Sequence, residues 1–166
     1  MSTTNARPKV HRAQPAEPPA SPGPRTGWTE IRVRYCECDP MGLAHHASFV
    51  PWLEVARTEA LRRHGQTYAQ MEAQGLFLVV TRLEIAYRRP ARYDDRLRIQ
   101  CQGALVGRAR LRHDYRVELL EPGDGRAERL HDQPLATAVT ELACVGPTGR
   151  PVPVPGWLAT LLAGGA

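Results

Sequence analysis

Between residues 36 and 48 the chain reads CECDPMGLAHHAS, which crowds a carboxylate, two imidazoles and a helix start into one short segment. Asp39 offers a carboxylate that can attack a carbonyl carbon or draw a proton from water. His46 places an imidazole two residues before Ser48, a good N-cap for a helix. Such a helix start presents backbone N–H groups that lack intrahelical partners and carry partial positive charge, suited to a developing oxyanion. Pro40 restrains Asp39 to extended backbone, which suits a fixed carboxylate. The same Asp39-Pro40-Met41-Gly42 is also a type I turn pattern, with Pro second and Gly fourth, and on spacing alone plain turn chemistry is the favoured reading.

Other candidates in this region are weaker. His45 and His46 are adjacent, so their side chains diverge, and no Cys or carboxylate spacing completes a metal site. Cys36 and Cys38 lie two apart at a strand end; inert buried thiols are commoner in that pattern than a redox pair. Glu54 and Glu59 read as surface or ion-pairing groups on a helix. Arg88, Arg89 and Arg92 are candidates for contacting phosphates, because guanidinium matches phosphate geometry, and equally read as charges on a turn surface.

The elements that must position these groups follow from periodicity. From Trp28, Ile31, Val33 and Tyr35 alternate with Glu30, Arg32 and Arg34, a half-buried strand. Phe49, Trp52, Leu53, Ala56 and Ala60 recur at helical spacing, which predicts a helix over 48–64. Arg62, Arg63 and His64 crowd its last turn and Gly65 stands at C′. A short helix is expected over 68–74. Beyond it come strands near 76–87, 97–103 (with a bulge expected at Gly103), 109–119 and 135–145, then a short helix near 157–162. One strand, a long helix and four successive strands make an α+β domain with an antiparallel sheet covered by its helix on one face.

Length and composition bound the rest. The 166 residues suffice for one domain, expected over 27–166, and 42% hydrophobic with 23% charged residues suits a soluble globule. Residues 1–26 hold six of the fifteen prolines and no Leu, Ile, Phe, Tyr or Trp, so a disordered tail is expected there. That stretch also carries +3 of the formal +5, leaving too little charge on the body for a nucleic-acid partner. No apolar run approaches the ~18 residues of a membrane span, and the start lacks a secretory apolar region, so a cytoplasmic location is expected. Cys36, Cys38, Cys101 and Cys144 form no C-x-x-C pair and are expected to be free thiols.

The segment RVRYCECDPMGLAHHASFVPWLEVARTEALR resembles the opening motif of the 4-hydroxybenzoyl-CoA thioesterase family of hot-dog-fold proteins, which includes the acyl-CoA thioesterases of the Tol-Pal cluster. LEIAYRRPARYDDRLRI and GRPVPVPGWL resemble that family's second signature and its ending, and the resemblance runs from Trp28 to Leu162. It implies a five-stranded antiparallel sheet wrapped around one long helix, and hydrolysis of an acyl-CoA or acyl-carrier-protein thioester without cofactor or metal. It implies Asp39 as the catalytic carboxylate, His46 as donor of a backbone N–H to the thioester carbonyl, and Tyr35 as a further catalytic position. Gly42, Ala47 and Ser48, with Arg88, Arg89 and Arg92, are the expected substrate contacts. Family sites lie between subunits, so a homodimer or homotetramer is implied. Where many members carry tyrosine before the histidine, this chain has His45. Two other functions fit the same residues: a hot-dog enoyl hydratase or dehydratase, and an acyl-CoA-binding sensor without chemistry.

Overall fold

The computed structural model describes residues 26–125 and 133–163. The expected tail over 1–26, apart from Thr26, and the middle of the loop between the last two strands lie outside the described residues. Five strands form one antiparallel sheet: β1 (Thr26–Arg32), β2 (Phe77–Tyr87), β3 (Arg96–Gly107), β4 (Arg110–Glu121) and β5 (Ala136–Val145), in the order β1-β3-β4-β5-β2. Helix α1 (Phe49–Arg63) lies against β1 and β3. Helix α2 (Tyr68–Ala73) follows it, and α3 (Gly156–Ala163) closes the described chain against β3. None of these helices is long and apolar enough to cross a membrane.

The alternation read along the chain becomes the inner face of the sheet. β3, β4 and β5 bury every second residue, and Phe49, Trp52, Leu53 and Ala56 of α1 pack on Leu97, Ile99, Cys101, Val117, Ala136 and Ala138. Each buried Leu, Ile, Val or Phe among them contributes about 1.5–3 kcal/mol by leaving water. A second cluster joins the C-terminal end of α1 to α2 and α3 through Leu61, Met71, Leu111, Leu142, Leu158 and Leu162. β2 forms one edge of the sheet and differs from its neighbours: Val79, Val80 and Leu83 are all exposed.

Three expectations are corrected. Tyr35 does not continue β1. Val33 makes the last bond of that strand's path, to the Asp95 carbonyl, and the Glu37 carboxylate then captures the Arg34 N–H and guanidinium, curling Tyr35–Glu37 into a 3-10 turn. Ser48 precedes α1 but does not cap it with its side chain, because a 3-10 turn over His46–Ser48 leads into the helix. The Ser48 hydroxyl donates to the Glu37 carbonyl instead, at 2.9 Å. Gly103 forms no bulge: it pairs in register with His113, and the register shifts lie between Arg96 and Leu97 and between Leu105 and Gly107. Its missing side chain makes room for Leu162 and His113, since a Cβ there would overlap the Leu162 Cδ2 atom.

Candidate active site

The loop between β1 and α1 is a small hairpin built by successive backbone pairs. The His45 N–H donates to the Glu37 carbonyl at 2.8 Å, Cys38 bridges to Ala44, and the Asp39 N–H donates to the Leu43 carbonyl at 2.8 Å. Asp39 opens its turn and His46 stands where the hairpin meets the helix. Gly42 closes the turn at φ 73°, a left-handed conformation that glycine adopts without steric cost. The hairpin is docked on the connection between β2 and β3: the Ala44 N–H donates to the Ala91 carbonyl and Leu43 bridges to Arg92.

Asp39 does turn chemistry and retains an open oxygen. Its Oδ1 accepts the Met41 N–H at 2.9 Å and the Leu43 N–H at 3.3 Å. Oδ2 accepts no hydrogen bond among the described residues, so the side chain is held by one oxygen and presents the other. Of the amides expected at the helix entrance, two are already spent. Ala47 N–H donates to the His45 Nδ1 at 3.2 Å and Ser48 N–H to the His45 carbonyl at 2.9 Å, while Gly42 N–H donates to the Asp39 carbonyl at 2.9 Å. The His46 N–H has no acceptor among the described residues. The His46 ring is exposed and, contrary to the expected divergence of adjacent side chains, lies against His45 with ring centres 4.0 Å apart.

Two side chains that sequence reasoning did not single out hold this geometry. Glu37 is 7% exposed, and its carboxylate accepts the Arg34 N–H at 2.7 Å, the Arg34 guanidinium at 2.6 Å and the Trp52 Nε1–H at 2.8 Å. Burial works against its charge, but the bonds from Arg34 and Trp52 outweigh it and keep the carboxyl below the usual carboxylate range. Glu37 therefore ties the hairpin to α1 through Trp52, fifteen residues on. Tyr87, at the end of β2, donates its hydroxyl to the His46 carbonyl at 2.9 Å and packs its ring edge-on against Phe49. Partial burial pushes its pKa up, so it stays a donor. The only sequence signal was a Glu three residues after Arg34, spaced to accept from its backbone N–H and guanidinium; nothing local pointed from Tyr87 to His46.

Tyr35 is not brought to this group. It is 81% exposed and meets the ring of Tyr93 edge-on at 5.6 Å. The arginines divide. Arg92 stands beside Leu43 of the hairpin, with its backbone N–H on Asp95 Oδ2 at 2.8 Å, whereas the Arg88 and Arg89 N–H groups donate to the Leu135 carbonyl. Glu54 and Glu59 pair with Arg57 and Arg62, as ion-pairing helix carboxylates should. Cys36 and Cys38 are free thiols but not buried as expected, Cys36 being exposed and Cys38 half-buried; partial burial, then the neighbouring Glu37 and Asp39, pushes the Cys38 thiol up, away from redox reactivity.

The family model described as the thioesterase-like superfamily matches residues 33–162, from the end of β1 to α3. The chain belongs to that superfamily. Among solved structures, this thioesterase-like chain superposes on the protein TT1821 from Thermus thermophilus with a TM-score of 0.71 at 31% identity, covering 82% of this chain and 97% of that one. It matches the DHNA-CoA thioesterase from Staphylococcus aureus with a TM-score of 0.66 at 29% identity, over 77% and 80% of the two chains. The acyl-CoA thioester hydrolase YbgC from Escherichia coli is 40% identical over 72 residues, 43% of this chain and 54% of YbgC. The chain spans about half the length of the first curated relatives it matches. Its five-stranded antiparallel sheet with α1 packed against it is the hot-dog fold of these thioesterases.

Proposed function

We propose that this protein hydrolyses an acyl thioester of coenzyme A to the free acid and the thiol, with Asp39 as the acting carboxylate and the His46 N–H as an oxyanion donor. The observation that carries this reading is a half-buried carboxylate, held by one oxygen and open at the other, on the same hairpin as an unspent amide at the helix entrance. The amide and the positive end of α1 stabilise the tetrahedral oxyanion. Asp39 either attacks the carbonyl carbon, expelling the thiolate and leaving a mixed anhydride that water opens, or takes a proton from water as that water attacks. Tyr87 sets the peptide plane of His46, and Arg92, beside the hairpin, is the best placed of the three arginines to meet a coenzyme A phosphate. The exposed apolar edge at Val79, Val80 and Leu83 supports pairing of two copies of this chain.

Asp39→Asn tests the reading with little structural disturbance, because the amide oxygen still accepts the Met41 and Leu43 N–H bonds. Turnover of a panel of acyl-CoAs, followed as thiol release, should fall by at least about a hundredfold. Near-normal turnover in the folded variant removes Asp39 from the chemistry. In single-turnover hydrolysis in oxygen-18 water, label in the Asp39 carboxylate establishes the anhydride route, because only an anhydride opened by water at the Asp39 carbonyl carries it there, whereas persistent absence of label counts against that route.

A further inference from the structure

A partly open cavity of about 50 Å³ lies on the far half of α1 from the Asp39 hairpin, lined by α1, α2, α3, the inner face of β3 and β4, and Leu78 of β2. About 10–15 Å³ of such space admits one water, so there is room for several waters or a small organic molecule. Most of the wall is aliphatic, including Leu61, Leu111, Leu158 and Leu162. Set into it are Arg57, Tyr68, Cys101 and His113. The cavity falls where the two apolar clusters meet, so these polar groups are buried between hydrophobic surfaces rather than at a rim.

His113 is the group the fold leaves unanswered. It is 9% exposed, its Nδ1 has no hydrogen-bond partner, and its ring lies beside Gly103, which also lines the cavity. A buried ring nitrogen without a partner costs free energy that a folded protein recovers only if something else supplies the bond. The charges around it are one-sided. Arg57 is 8% exposed, donates to the Tyr68 hydroxyl and to Glu54, whose own side chain is largely in solvent, and lies over the Tyr68 ring. Burial pushes the Cys101 thiol up to about 12, so it stays neutral, and His64 at the mouth is exposed. The chamber thus offers one guanidinium, one neutral imidazole and a hydrocarbon wall.

We propose that this cavity is a second small-molecule site that takes the carboxylate of a short aliphatic acid on Arg57 and His113, with its hydrocarbon against the leucines of α1 and α3. The present carboxylate partner of Arg57, Glu54, sits largely in solvent, so the guanidinium can turn its charge-assisted bonds to a carboxylate inside the cavity, and the leucine wall favours an alkyl tail over an inorganic anion. The site stands whether or not Asp39 hydrolyses thioesters; if it does, the product belongs to the class of ligand this cavity accepts.

Nitrogen-15 spectra of the His113 ring in the full chain test this directly. Butyrate and hexanoate, titrated through the millimolar range, should shift the ring signals saturably, while butanol and phosphate should not. Arg57→Gln should weaken the response at least about tenfold, by loss of a charge-assisted bond. Leu162→Phe, which fills the cavity from α3, should abolish it, and it carries the test should Arg57→Gln fail to fold. Absence of a saturable shift with either acid overturns the proposal, and so does an equal response to phosphate or an undiminished one in the folded Arg57→Gln variant.

Discussion

Acidification should destabilise the protein through His113, and the size of the effect follows from its burial. Removal from water, with the Arg57 charge nearby adding to it, pulls the imidazole from its ordinary 6.5 down to about 3 in the folded chain. Above pH 6.5 the ring is neutral both folded and unfolded and contributes nothing to the pH dependence. Below it the unfolded chain binds a proton that the folded chain refuses, so stability falls as pH falls, by about 1.4 kcal/mol per pH unit, until the folded value is reached. The total is about 4–5 kcal/mol, a large part of the 5–15 kcal/mol that holds a typical domain together. Urea unfolding of the wild type and of His113→Leu, between pH 4 and pH 7 in buffers free of carboxylic acids, isolates this group, because titration of the other side chains is common to both. The wild-type curve should lose about 1.4 kcal/mol per pH unit more than the variant below pH 6. A constant packing difference between Leu and His cancels in the slopes, and His113→Gln provides the same comparison with a polar side chain. Parallel curves would refute the reasoning, since they would mean that His113 is protonated as readily inside as outside.

Glu37→Gln should cost about 1.5–3 kcal/mol at neutral pH, the worth of hydrogen bonds to a buried charge. Because the folded carboxyl lies below its ordinary range, its stabilisation is present above the unfolded value and is lost as pH falls through the folded one, so the gap between wild type and variant should close in acid; urea midpoints at both pH values check this. Tyr87→Phe removes the hydroxyl that holds the His46 carbonyl while keeping the ring on Phe49. About fivefold lower kcat, with KM and Tm little changed, is expected for loss of one positioning bond of about 1 kcal/mol. An unchanged kcat would show that the helix entrance needs no such brace.

What was legible in the sequence was whatever depends on neighbours along the chain. Helix α1 runs 49–63 against an expected 48–64, because 3.6-residue spacing of Phe49, Trp52, Leu53 and Ala56 is a local property that burial then rewards. The period-two faces of β3 and β4 and the Asp39 turn were legible for the same reason. Direction and partnership were decided only by the tertiary fold. Tyr35 fits the β1 alternation yet points outward, because Glu37 turns the chain to reach Trp52. Ser48 is a good cap by type, yet its hydroxyl answers Glu37. Gly103 sits in regular register to admit Leu162 from a helix more than fifty residues away, and Tyr87 meets His46 from the end of another strand. Each of these rests on a hydrogen bond or an overlap of a few ångströms between segments distant in sequence. Such contacts depend on how elements approach one another, and composition and spacing do not encode that approach locally.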